Sequence, residues 1–137
     1  IGKWEYLKKG EKVAILAVGS TVDIALKSLN SIEEKFSFIP TLVNCRFIKP
    51  FDNEILKDII NNHDFIITME EGVIKGGFGS TILNYYHSKN NKIKVKNLGI
   101  EDNFIEHGTL NELLDSLDLN SMGVVNKINL ILGDIDE

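Results

Sequence analysis

The segment KVAILAVGST, Lys12 to Thr21, decides how the rest of the sequence is interpreted. Every residue of Val13–Val18 is apolar. A continuous apolar run of this length is typical of a strand buried on both faces, as in a parallel sheet covered by helices. The Gly19-Ser20-Thr21 turn follows at once, and Ser20 or Thr21 can cap a helix that begins there. The segment therefore predicts a strand, a tight turn and a helix.

Similar units recur along the chain. Further strands are predicted at Thr41–Asn44, Phe65–Met69 and Lys94–Leu98, with a short edge strand at Trp4–Leu7. Further helices are predicted after Asp52 and after Gly76, and then at Leu110–Leu117 and Met122–Leu132. Strands that alternate with helices favour an α/β fold, with a mostly parallel sheet between two helical layers. No internal linker interrupts the pattern, so residues 1–137 are expected to form a single domain.

Composition and charge argue against several classes of protein. The chain has 137 residues, a net charge of -5 and scattered basic residues, which is a poor match for nucleic acid. No apolar stretch reaches the ~18 residues that a membrane span needs. The single cysteine, Cys45, excludes an intrachain disulfide and is expected to be a small buried residue in a reducing compartment. Because the chain starts at Ile1 without a Met, we expect a fragment of a longer protein. No signal peptide opens the chain, and a cytoplasmic location is expected.

Charged residues follow two of the predicted strands. Glu70 and Glu71 end one strand, and Arg46 and Lys49 follow another. Ligands gather at this edge of open α/β sheets, although adjacent residues of a strand point to opposite faces. Arg46 and Lys49 can bind a phosphate or pair with a carboxylate such as Glu70, and structural pairing is the favoured interpretation.

The glycine segment Gly76-Gly77-Phe78-Gly79-Ser80 has two interpretations. Backbone N–H groups at the start of a helix can cradle an anion. Glycine also allows a helix to pack closely on a sheet, and this interpretation is favoured, because the spacing fits neither a Walker loop nor a dinucleotide fingerprint.

The three histidines do not predict a metal site, since no second His or Cys stands at ligand spacing. His107, in the loop Asn103–Gly108, is the best candidate for contact with a ligand or partner. His63 is expected at the surface, and His87 late in a helix. No Ser or Cys nucleophile motif is found either.

Three phrases carry a resemblance to a known family. They are RFIKPFD at Arg46–Asp52, EEG with GGFGS at Glu70–Ser80, and DNFIEHG at Asp102–Gly108. Together they resemble the C-terminal, third domain of the 1-deoxy-D-xylulose-5-phosphate synthase family, within the transketolase C-terminal superfamily. The resemblance runs from Ile1 to Leu132.

The resemblance implies a three-layer α/β/α sandwich with a five-stranded mixed sheet and an antiparallel edge strand. It implies a homodimeric transferase that decarboxylates pyruvate on thiamine diphosphate and adds the two-carbon fragment to glyceraldehyde 3-phosphate. Thiamine diphosphate and Mg²⁺ are expected on the N-terminal and central domains, since the Gly-Asp-Gly motif is absent here. No catalytic, cofactor or metal residue is therefore assigned. Contacts with other domains or the second protomer are expected from Arg46, Lys49, Glu70, Glu71, Gly76, Gly77, Gly79, Asp102, Phe104, His107 and Gly108.

Two alternatives remain open. One is the C-terminal domain of transketolase or of a 2-oxoacid dehydrogenase β subunit, which the DNFIEHG phrase disfavours. The other is a free-standing α/β module that binds a nucleotide or phosphate at Gly76–Ser80.

Overall fold

The computed structural model describes residues 3–46, 52–71, 77–100, 124–125 and 128–130. The described strands are β1 (Glu5–Lys8), β2 (Lys12–Ala17), β3 (Thr41–Asn44), β4 (His63–Glu71) and β5 (Lys94–Ile100). The described helices are α1 (Thr21–Phe36), α2 (Asn53–Asn62) and α3 (Phe78–Ser88). Residues 124–125 and 128–130 are also helical, within the predicted helix Met122–Leu132. The predicted helix Leu110–Leu117 lies outside the described residues.

The strands form one mixed sheet in the order β1-β3-β2-β4-β5. Strand β1 pairs with β3 in antiparallel orientation, and the other neighbours pair in parallel. The predicted mostly parallel sheet with an antiparallel edge strand is thus confirmed. Parallel strands need crossover connections, and α1, α2 and α3 supply them between β2 and β3, β3 and β4, and β4 and β5.

Each face of the sheet has its own apolar core, which lies between the strands and the helices that cover that face. Alternate residues of β4 divide between them: Phe65, Ile67 and Met69 pack with α1 and with Val124, Val125 and Ile128. Ile66 faces the opposite core, which contains the buried residues of α2 and α3. This alternation follows from the period of two along a strand. It confirms the three-layer α/β/α arrangement.

The start of α1 differs from its prediction. The helix begins at Thr21, and the preceding Ser20 makes no side-chain cap hydrogen bond. The Thr21 hydroxyl is buried at the edge of the sheet instead. It lies 2.7 Å from the Val18 carbonyl oxygen and 3.1 Å from that of Met69, and it accepts from the Val18 N–H at 3.2 Å. Thr21 therefore joins the helix start to β2 and β4 rather than capping the helix.

Helix α2 begins as predicted. The Oδ1 atom of Asp52 accepts a hydrogen bond from the Ile55 N–H at 3.2 Å, which confirms Asp52 as the N-cap. The second carboxylate oxygen accepts from the Trp4 N–H at 2.9 Å. One buried carboxylate thus fixes both the helix start and the residue that precedes β1.

The expectation of a surface position for His63 holds only in part. Strand β4 begins at His63 itself, so its imidazole is half-buried between α2 and β3. The Ile59 carbonyl, 2.6 Å from Nδ1, can only accept, so Nδ1 carries the proton. The Thr41 hydroxyl oxygen lies 2.6 Å from Nε2, within hydrogen-bond distance, and accepts from the Gly10 N–H at 2.9 Å. These hydrogen bonds join the residues before β2, the start of β3 and the start of β4 at the amino edge of the sheet.

Within the described residues, no helix has the length and apolar character that crossing a membrane requires.

Candidate functional site at the carboxyl edge of the sheet

The carboxyl ends of β2, β3, β4 and β5 lie along one edge of the sheet, because these strands are parallel. Arg46, Glu70 and the start of α3 belong to this edge, as the sequence predicts. Glu71 is the last residue of β4, but its side chain lies outside the described part of the structure. The remaining candidates also lie outside it: Lys49, Gly76, Asp102, Phe104, His107 and Gly108.

Among the described residues of this edge, Glu70 is the most buried charged residue, with 5% of its surface exposed. Its Oε2 accepts a hydrogen bond from the Phe78 N–H at 2.5 Å. Burial raises the pKa of the Glu70 carboxyl, and the N–H groups of Phe78 and Gly79 lower it less than burial raises it. Among the described residues, Oε1 is buried without a hydrogen-bond partner. Glu70 is thus an internal cap of α3 rather than a solvated or ion-paired residue.

This contact bears on the anion-binding interpretation of the glycine segment. The N-terminus of a helix attracts negative charge through its free N–H groups and its dipole. Glu70 already supplies negative charge there and accepts from the first N–H of α3. A phosphate at the same place would face this carboxylate, which disfavours the free-standing anion-binding module.

Gly79 serves close packing of α3 on the sheet. A Cβ at this position would lie 2.7 Å from Thr68 Oγ1 and 2.8 Å from Asn97 Cβ. The two neighbours are fixed against each other, since the Thr68 hydroxyl donates to Asn97 Oδ1 at 2.7 Å. Gly77 precedes the helix in an extended conformation, with φ -82° and ψ -167°. The geometry therefore supports the packing interpretation at Gly79.

Arg46 pairs with Glu5, not with Glu70. The Arg46 guanidinium lies 3.2 Å from the Glu5 carboxylate, and about half of each side chain is exposed (53% and 47%). Arg46 follows β3, whose antiparallel neighbour β1 begins at Glu5, whereas Glu70 is buried under α3. Exposed pairs of this kind contribute about 0–1 kcal/mol. The pairing is structural, as favoured from the sequence, but with a different partner.

Trp4 joins this edge to the core that contains Ile66 and the buried residues of α2 and α3. The sequence did not predict this contact. The Trp4 ring meets that of Phe78 edge-to-face with centroids 6.0 Å apart, and the Trp4 backbone N–H donates to Asp52. Asp52, Trp4, Phe78 and Glu70 thus connect α2, the chain before β1, α3 and β4. Trp4 and Asp52 are 48 positions apart, so no local pattern indicates their contact.

The described residues do not fit a Mg²⁺–diphosphate group. The two buried carboxylates, Asp52 and Glu70, each accept from the first turn of a helix. In the described part of the chain, no three His, Cys, Asp or Glu residues are placed to hold a metal ion. The thiol of Cys45 is buried, as expected, and burial raises its pKa, which disfavours a nucleophilic thiolate.

A family model described as "Transketolase, C-terminal domain" matches residues 2–124. The chain belongs to the transketolase C-terminal domain family. Among solved structures, a split-gene transketolase described as an inactive beta4 tetramer matches this domain with a TM-score of 0.81 and 30% identity, over 93% of this chain and 41% of that one. Transketolase from Campylobacter jejuni matches over 93% of this chain and 18% of its own, with a TM-score of 0.65 and 23% identity, which shows the fold alone.

Curated relatives of this transketolase C-terminal domain are 1-deoxy-D-xylulose-5-phosphate synthases. The protein from Bacillus velezensis is 40% identical over 96% of this chain, and that from Clostridium tetani is 39% identical over 93%. The chain spans 21% and 20% of these relatives. The likeness therefore covers nearly all of this domain and about a fifth of each relative.

Proposed function

We propose that this chain is the C-terminal domain of a 1-deoxy-D-xylulose-5-phosphate synthase. The whole protein then condenses pyruvate with glyceraldehyde 3-phosphate, with loss of CO₂, on thiamine diphosphate and Mg²⁺ held by its other domains. The observation that carries the proposal is the 40% identity to a protein of that name over 96% of the chain. The sequence phrases RFIKPFD and DNFIEHG support the same assignment over transketolase itself.

Within the whole protein, this domain acts in assembly and takes no part in the chemistry. The two buried carboxylates of the described residues, Asp52 and Glu70, support this role, because both accept hydrogen bonds from the first turn of a helix. Rigid strand ends suit docking, since the sheet positions the loops that follow them. Residues of the carboxyl edge therefore contact the preceding domains or the second protomer of a cytoplasmic homodimer.

The activity is tested on the full-length protein, supplied with pyruvate, glyceraldehyde 3-phosphate, thiamine diphosphate and Mg²⁺. The expected result is 1-deoxy-D-xylulose 5-phosphate and CO₂ in equal amounts. Transfer of a two-carbon unit from a ketose phosphate, with no release of CO₂, would identify a transketolase and contradict the proposal.

The assembly role is tested by sedimentation of the full-length protein and of a shortened form that lacks this 137-residue domain. A stable interface buries on the order of 1,000 Å² or more, and this domain is expected to supply a share of it. The full-length protein is expected to sediment as a dimer, and the shortened one as a weaker dimer. A full-length monomer at micromolar concentration would contradict the role.

A further inference from the structure

A cleft of about 160 Å³ lies between α2 and α3, away from the carboxyl edge. It is lined by Lys57, Ile60, Tyr85, Tyr86, Lys89 and Asn91. Its apolar lining residues are Ile60, Tyr85 and Tyr86, of which Tyr86 is almost fully buried, whereas Lys57 and Lys89 are exposed. A cavity of roughly 150 Å³ holds a single benzene ring. The α2–α3 cleft therefore has the size of a one-ring ligand.

The aromatic wall of the α2–α3 cleft is fixed by the fold. The Tyr86 hydroxyl donates to the Leu56 carbonyl of α2 at 2.6 Å. The ring of Tyr85 meets that of Tyr86 edge-to-face, with centroids 5.1 Å apart and an interplanar angle of 82°. Because these rings are already held, a ligand loses little affinity to ordering them.

The polar rim of the cleft is built by the turn that ends α3. The N–H groups of Lys89 and Asn91 both donate to the Tyr86 carbonyl, at 3.1 and 2.9 Å. Asn91 Oδ1 accepts from the Ile93 N–H at 2.8 Å, so its NH₂ group is the part of the amide that can donate to a ligand. The Lys89 ammonium lies 5.9 Å from the centre of the Tyr85 ring, beside the apolar surface.

The charge of the rim favours an anion. None of the described lining residues is acidic, and two are cationic. Asp58, next to Lys57 in sequence, accepts a hydrogen bond from the Tyr6 hydroxyl. The C-terminal end of α3 opposes an anion with about half a negative charge, but its Tyr86 carbonyl is satisfied by two N–H groups. Two full positive charges outweigh it.

We propose that the α2–α3 cleft binds a small aromatic carboxylate. Its ring packs against Ile60 and Tyr85, and its carboxylate lies at the rim with Lys57, Lys89 and the Asn91 NH₂ group. This site is separate from the assembly role of the carboxyl edge and does not depend on it.

The test is an NMR titration of the ¹⁵N-labelled 137-residue chain with benzoate. Saturable shifts are expected at residues 57–60 and 85–91, with a dissociation constant on the order of 1–10 mM. Benzyl alcohol, which keeps the ring, and acetate, which keeps the charge, are expected to bind at least 5-fold more weakly. Equal binding of either compound, or no saturation with benzoate, would overturn the proposal.

Variants locate the site. Lys57→Gln and Lys89→Gln are each expected to weaken benzoate binding roughly 2- to 5-fold. The matched control is Lys27→Gln, an exposed lysine on α1 across the sheet, which is expected to leave binding unchanged. Equal weakening by Lys27→Gln would show that benzoate responds only to the net charge of the chain, and it would contradict binding in the α2–α3 cleft.

A docked protein segment is the competing occupant. N-acetyl-phenylalanyl-glutamate amide carries the same ring and carboxylate on a peptide backbone. Tighter binding of this peptide than of benzoate would replace the small-molecule assignment with a docked segment, whereas equal or weaker binding supports the small ligand.

Discussion

The Phe78 N–H donates to the Glu70 carboxylate, so that the end of β4 binds the first residue of α3. Seven residues separate the two in sequence, and the carboxylate takes the place of the N-cap side chain that Gly77 cannot supply. A buried acid thus sets where α3 begins on the sheet. The same contact fills the position at which the glycine segment could have held an anion.

Replacing Glu70 tests this cap. Glu70→Ala leaves the buried Phe78 N–H without its acceptor, and we expect a loss of about 1–3 kcal/mol in the free energy of unfolding. Glu70→Gln keeps an oxygen that can accept, so it is expected to lose less than Ala. Urea denaturation at neutral pH measures both variants. Equal stability of Glu70→Ala and the unmodified chain would contradict the cap.

The raised pKa of Glu70 predicts a pH dependence of stability. Below its ordinary pKa of 4.5, the carboxyl is protonated in both the folded and the unfolded chain. Above 4.5, the unfolded chain releases this proton first, so the folded state binds more protons and the free energy of unfolding falls as pH rises. The fall ends once the raised pKa of the folded state is passed. Glu70→Gln is expected to remove this component.

The measurement for this prediction is the difference in unfolding free energy between Glu70→Gln and the unmodified chain, taken from pH 4 upward. Other titrating groups cancel in the difference. It should grow in favour of the variant as pH rises above 4.5. A difference that grows in favour of the unmodified chain would show a lowered pKa and contradict the burial argument.

Gly79→Ala tests the close packing of α3. The added Cβ would meet Thr68 and Asn97 at less than ordinary contact distance, and overpacking of this kind typically costs about 1–3 kcal/mol. Ser80→Ala, at the exposed neighbouring position, is the matched control and is expected to stay within about 0.5 kcal/mol. Thermal unfolding of both variants decides between them, and a Gly79→Ala chain as stable as Ser80→Ala would be inconsistent with the packing.

Thr41→Val tests the hydrogen bonds that the Thr41 hydroxyl makes at the amino edge of the sheet. The replacement keeps the shape of the side chain but removes the hydroxyl that accepts from the Gly10 N–H and forms a hydrogen bond with His63. We expect a loss of about 1–3 kcal/mol, since both partners are left without it. Thr41→Ser retains the hydroxyl and should recover part of the loss. Denaturation curves in which Val and Ser behave alike would assign the effect to packing alone.

Much of this fold could be predicted from local patterns. The apolar run Val13–Val18 indicates a strand buried on both faces, and β2 is fully buried from Val13 to Ala17. Asp52 is a helix cap by residue type and position, and it caps α2. These features depend on neighbours in sequence, which periodicity and capping rules describe directly.

The partners of individual polar residues could not be predicted in the same way. The contacts of Arg46 with Glu5 and of Trp4 with Asp52 join residues more than forty positions apart. The sequence predicts a surface position for His63. In the structure β4 begins at His63, and its imidazole lies against Thr41. Such pairings depend on which strands become neighbours. The sequence pattern predicts that the strands share a sheet but not the order in which they lie.

The most direct test of the central claim, an assembly role without chemistry, is calorimetric titration of thiamine diphosphate with Mg²⁺ into this 137-residue chain and into the full-length protein. Binding is expected only with the full-length protein, because Asp52 and Glu70 are committed to helix starts in this domain. Circular dichroism of the same sample should show a folded chain. Micromolar binding of thiamine diphosphate by the 137-residue chain would contradict the account.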